Sequence, residues 1–113
     1  MPRDYKVYLD DILQSVERIR DFTRGLTRDT FVKDLKTCDA VIRNLEVIGE
    51  AIKNIPDSVR NKYPDVEWKK IAGLRDILIH EYFGIDVDIV WDIVKNKLPN
   101  LEGQVRRILT DES

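Results

Sequence analysis

Between Phe31 and Ile55 apolar residues return every three or four positions, and no proline interrupts the pattern before Pro56. Phe31, Leu35, Cys38, Val41, Ile42, Leu45, Ile48, Ala51, Ile52 and Ile55 share one stripe of a 3.6-residue helix. A strand alternates every second residue and cannot place them on one face. The pattern predicts a single helix over 29–55, the longest element of the chain, with Asp29 or Thr30 as its N-cap. Such a stripe has to be covered, so further helices or a second subunit must pack against it.

The rest of the chain supplies candidates of the same kind. Tyr5, Tyr8, Leu9, Ile12, Leu13, Val16 and Ile19 predict an amphipathic helix that stops near Gly25, where a left-handed cap suits glycine. Residues 56–65 read as a connector between Pro56 and Asp65. Asp65 is expected to cap a third helix over 66–82, which Gly84 ends. Asp86 caps a fourth, with Val87, Val90, Trp91, Val94 and Leu98 inward, and Pro99 opens a short last segment. Connections this short favour antiparallel neighbours. The expected fold is all-α: one domain over 1–113, an antiparallel up-down bundle of four main helices plus a short C-terminal helix.

Composition narrows the function. A chain of 113 residues with 42% hydrophobic and 35% charged residues forms one core and is not disordered. The formal net charge of −2 provides no general attraction for nucleic acid, so an RNA-binding surface has to be local. Cys38 is the single cysteine, which excludes an internal disulfide and a cysteine-rich metal site. The polar first residues and the absence of any apolar run near 20 residues lead us to expect a cytoplasmic protein that does not enter the membrane.

The chemistry concentrates in residues 68–82, WKKIAGLRDILIHEY. On an ideal helix Arg75 falls among Ile71, Leu78, Ile79 and Tyr82, an apolar stripe. A guanidinium desolvated there without a partner costs several kcal/mol. Either Glu46 or Glu50 pairs with it, or the stripe opens onto a cleft or a second subunit. His80 lies about 140° further round, on the face of Lys69, Gly73 and Asp76. Asp76 precedes His80 by four residues and can hold one imidazole tautomer, while Gly73 leaves room for a close approach. One regular helix does not bring Arg75 and His80 together. A two-fold pairing of this helix would, as would a distortion near Gly84.

The pattern Arg75-x4-His80-x-Tyr82 resembles the signature of HepT, the toxin half of HEPN–MNT toxin–antitoxin modules. So do Gly49-Glu50-Ala51, Trp68-x-x-Ile71-Ala-Gly and the residues from Tyr82 to Asp86. The resemblance spans nearly the whole chain, and differs at Asp76, where HEPN proteins often carry Asn. It implies a metal-independent endoribonuclease without cofactors, active as a homodimer or higher oligomer on an RNA substrate. Arg75 and His80 would be catalytic, with Asp76 and Gly73 supporting. It also implies an MNT-type nucleotidyltransferase antitoxin that adds AMP to Tyr82. The competing reading is a non-catalytic helical module that binds a nucleotide or a partner protein. Residues outside the motif have plainer roles: Trp68 and Trp91 as core anchors, Cys38 as a small hydrophobe, Glu46 and Glu50 as helix charges.

Overall fold

The computed structural model of the chain describes residues 4–80 and 86–112, with residues 75–80 described as helical backbone alone. Among the described residues every regular element is helical. α1 (Tyr5–Thr23) starts at Asp4, whose carboxylate accepts from the Lys6 amide at 3.0 Å. Its expected stripe is inward: Leu9, Ile12, Val16 and Ile19 are buried, with Tyr5, Tyr8 and Leu13 half-buried beside them. Gly25 ends the turn after it at φ 77°, the left-handed region its position predicts.

The single helix expected over 29–55 is two helices. α2 (Arg28–Lys33) and α3 (Leu35–Lys53) meet at Asp34, which has φ −96° and ψ 84°. The Asp34 amide still donates to the Phe31 carbonyl at 3.0 Å. Its carboxylate meanwhile accepts from the Thr37 amide at 3.0 Å and the Thr37 hydroxyl at 2.7 Å. One residue thus closes α2 and caps α3. The N-cap of α2 is Thr27, not Asp29 or Thr30; Thr27 and Thr30 exchange side-chain and backbone bonds in a capping box. The break costs Leu35 its place on the stripe, and it is 74% exposed. Cys38 regains the buried face, and its thiol donates to the Phe31 carbonyl at 3.1 Å. Because of the break α3 has 19 residues, the same length as α1, so it is not the longest element.

The C-terminal end of α3 is closed from outside. Arg60, last residue of α4 (Asp57–Arg60), donates to the carbonyls of Ile52 at 2.6 Å and Ile55 at 3.0 Å. The Ile52 carbonyl also accepts from the Ile55 amide at 3.1 Å, so Arg60 adds a second donor at the end of the helix.

α5 (Trp68–His80) follows, then α6 (Val87–Asp92), a π turn (Ile93–Lys97) and α7 (Leu98–Asp111). Asp86 caps α6 as expected, accepting from the Asp88 amide at 2.9 Å. The short last segment expected from Pro99 is instead a 14-residue helix that continues α6 through the π turn. Pro99 has no N–H, and its ring crowds the carbonyl four residues earlier. The wider turn, closed by the Leu98 amide on the Ile93 carbonyl, carries the chain past it without a stop.

α3 packs against both α1 and α5, and α7 packs against α1. Tyr5 meets Glu112, Glu17 meets Arg106 and Arg20 meets Glu102, so α1 and α7 run antiparallel. The buried side chains of all these elements form one continuous cluster. Trp68 is buried as expected, whereas Trp91 is half-buried, its ring 5.0 Å from Phe31 with Lys95 over it at 4.8 Å. Among the described residues no helix is long and apolar enough to cross a membrane.

Candidate active site

The expected site rests on α5, and the start of that helix is fixed from several sides. Its first residue, Trp68, is buried, and its amide bonds the Val66 carbonyl at 2.9 Å. The indole Nε1–H donates to the Tyr63 carbonyl, also at 2.9 Å. The helix begins at Trp68 and not at 66, and Asp65 is not its cap. Both Asp65 carboxylate oxygens instead accept from Arg107 at 3.0 Å, and its carbonyl accepts from Gln104 at 3.1 Å. A single guanidinium nitrogen, Nη2 of Arg107 on α7, takes both carboxylate oxygens, so the Asp65 side chain is engaged away from the helix end. Arg107 also covers the Tyr63 ring at 5.6 Å. The segment leading into α5 is therefore clamped to α7. Arg107 and Gln104 lie 42 and 39 residues from Asp65, and no local pattern marks them in the sequence.

Arg75, Asp76 and His80 occupy helical backbone in the last turns of α5. Their side chains, with Tyr82 and Gly84 entirely, lie outside the described residues. So does the expected helix end at 82, and so does any contact of Arg75 with Glu46 or Glu50. The backbone is α-helical through His80, so positions 75 and 80 stand about 140° apart round the axis and about 7.5 Å apart along it. A continuous helix keeps the two positions on different faces, as the sequence pattern requires.

Gly73 lies on the described part of α5. A Cβ placed there meets no described atom within 4 Å, so no described neighbour demands glycine. The second turn of α5 has no exposed position, as is also true of residues 44–49 on α3. Ile71, Ala72, Gly73 and Leu74 point in four directions, yet each is half-buried. On α3, the neighbour of α5, Glu46 is half-buried and Glu50 exposed. Lys69 and Lys70 are exposed, and Lys70 pairs with Glu67 at 3.3 Å.

Asp88 does more than start α6. It accepts from the Arg28 guanidinium, which holds its carboxyl below the usual range and ties α6 to α2. Cys38 is buried and its thiol is pushed up, chiefly by that burial, as befits a packing residue. Among the described residues no group of three or more His, Cys, Asp or Glu side chains could hold a metal ion.

Comparison with known proteins adds a family. A profile described as "Ribonuclease HepT-like" matches residues 12–108. A Methanocaldococcus jannaschii protein named "Putative RNase MJ0127" is 54% identical over 112 residues, covering 98% of this chain and 93% of that one. "Probable ribonuclease HepT" of Thermococcus cleftensis is 45% identical over 108 residues, covering 96% of this chain and 98% of its own length. "Putative RNase TTE0752" of Caldanaerobacter subterraneus is 47% identical over 105 residues, 93% of this chain and 94% of the relative. No solved structure matches.

Proposed function

The chain belongs to the HepT-like ribonuclease family, and on that premise we propose that it is a metal-independent endoribonuclease, the toxin half of a HEPN–MNT toxin–antitoxin pair. The observation that supports this reading best is the family match running through a continuous helix that carries Arg75 and His80.

Three groups are needed to break an RNA strand without a metal. A base takes the proton of the ribose 2′-hydroxyl, whose oxygen attacks the adjacent phosphorus. A proton reaches the departing 5′-oxygen, leaving a 2′,3′-cyclic phosphate and a free 5′-hydroxyl. A cation offsets the charge on the phosphorane. His80 is the only histidine of the chain and serves the proton transfers, its ordinary pKa of about 6.5 suiting both directions. Arg75 stays charged and grips phosphate oxygens as a fork. Asp76, one turn before His80, orients the imidazole.

The active unit is a homodimer. Positions 75 and 80 face different ways on one helix, and a two-fold partner helix supplies what one copy lacks. The half-buried Ala72, together with the absence of any described atom within 4 Å of a Cβ at Gly73, supports placing that partner against α5, on the side away from Ile71 and Leu74. The antitoxin is a nucleotidyltransferase that moves AMP from ATP to the Tyr82 hydroxyl, releasing pyrophosphate. Each added phosphate brings negative charge beside Arg75 and repels an RNA backbone.

The test is cleavage of RNA by purified protein in chelator, with the His80→Ala variant as control. Cleavage lost in chelator removes the metal-free mechanism. Cleavage that survives His80→Ala removes the assignment of His80. No cleavage at all leaves the non-catalytic nucleotide- or protein-binding module.

A further inference from the structure

A cleft of about 200 Å³ opens between α5 and the π turn with α7. Its floor is apolar: Ile71 and Leu74 come from α5, Ile93 from the π turn and Leu101 from α7. Its rim carries Lys97 and the Asn100 amide, both exposed and neither with a hydrogen bond or ion pair among the described residues. The other charges at the rim are already matched, Glu67 with Lys70 and Asp65 with Arg107. Among the described residues Lys97 is thus the rim's unmatched charge, and it is positive. Ile93 and Lys97, the first and last residues of the π turn, both line the cleft.

We propose that this cleft seats one unstacked nucleobase of the RNA, a proposal that rests on the ribonuclease reading above. The volume is below the 300–1,000 Å³ typical of pockets for drug-sized ligands and suits a flat fragment. Splayed-out bases of single-stranded RNA lay a flat face on protein side chains, usually aromatic ones, and are hydrogen-bonded at their edges. Here Ile71, Leu74, Ile93 and Leu101 provide an aliphatic floor and Asn100 an amide. Lys97 meets the phosphate attached to that nucleotide. Leu74 directly precedes Arg75 and lies about 9 Å along the helix from His80. Position 75 stands about 40° from Ile71 round α5 and position 80 about 180° from it, so a base in the cleft lies on the side of the helix that carries position 75.

The experiment has two arms. Full-length ¹⁵N-labelled His80→Ala protein is titrated with each nucleoside 5′-monophosphate and with ribose 5-phosphate, which lacks a base. The amides of Leu74, Ile93 and Asn100 should shift with nucleotides and not with the sugar phosphate. Ile93→Glu, checked for folding by circular dichroism, should abolish those shifts. In the second arm the wild type cuts a randomised RNA pool, giving a base bias at one fixed offset from the cut. Asn100→Ala should reduce that bias about two- to tenfold, the worth of one hydrogen bond. Equal shifts with ribose 5-phosphate overturn the proposal. Cleft amides that respond to dilution but not to nucleotides put a second copy there and overturn it as well. Nucleotide shifts without RNA cleavage uphold the base site while removing the ribonuclease reading. Cleavage without shifts removes the base site alone.

Discussion

The indole N–H of Trp68 donates a 2.9 Å hydrogen bond to the carbonyl of Tyr63, five residues earlier, and both residues are buried. The bond joins the clamped segment before α5 to the first residue of the helix carrying Arg75 and His80. Trp68→Phe keeps most of the ring and deletes the donor, leaving the Tyr63 carbonyl unpaired. We expect a loss of about 1–3 kcal/mol in stability. Urea denaturation of wild type and variant measures it; an unchanged midpoint would show that water or another donor serves that carbonyl equally well.

His80→Ala should reduce RNA cleavage to background while leaving the helical circular dichroism spectrum and RNA affinity nearly intact. Arg75→Lys should also fail, because an ammonium does not reproduce the two-pronged grip on phosphate. Single-turnover rates on a short RNA separate these effects from binding. A lysine variant with wild-type rate would mean that Arg75 acts only as a point charge.

Tyr82→Phe should behave in the opposite way. A phenol with a pKa near 10 is a poor proton carrier at neutral pH, so cleavage should largely survive its loss. The variant should, however, escape the antitoxin, and cells expressing both genes should fare worse than with wild type. Intact-mass measurement after co-expression detects added AMP. Equal modification of wild type and Tyr82→Phe would return Tyr82 to a structural role.

Gly73→Ala separates the single chain from its assembly. Within one copy no described atom lies within 4 Å of the added methyl, and alanine is favoured over glycine in a helix by about 1 kcal/mol. The isolated subunit should gain roughly that much. If a partner helix packs there, the same methyl should weaken the dimer, seen as a rising proportion of monomer in sedimentation at micromolar concentration. A chain that is monomeric throughout would end the composite-site reading.

Asp34 provides a pH prediction. Hydrogen bonds from the Thr37 hydroxyl and then the Thr37 amide hold its carboxyl below the ordinary value of 3.8. A depressed folded-state pKa stabilises the protein above the unfolded-state value, and the contribution disappears as pH falls through the folded one. Asp34→Ala should therefore lower the thermal midpoint at neutral pH. The gap between variant and wild type should narrow on acidification below 3.8. A gap independent of pH would assign the effect to helix propensity instead of the cap.

Local pattern was enough for the helical class, the inward faces of α1 and α3, the turn at Gly25, the cap at Asp86 and the stretch in which Arg75 and His80 lie. Each depends on neighbours within about one turn, where 3.6-residue periodicity and capping chemistry operate. The same periodicity carried the second helix straight through Asp34, because the stripe resumes after the break almost in register. Only the carboxylate turning back onto Thr37, and the exposure of Leu35, reveal two helices. Pro99 likewise announced a helix start, but the π turn that absorbs it forms because α6 and α7 continue as one path over the core. The start of α5 was decided furthest from the local sequence. Asp65 has the right residue type to cap it, and Arg107, 42 residues away on α7, takes its carboxylate instead. A side chain follows its strongest available partner, and which partner is available is set by how the helices pack.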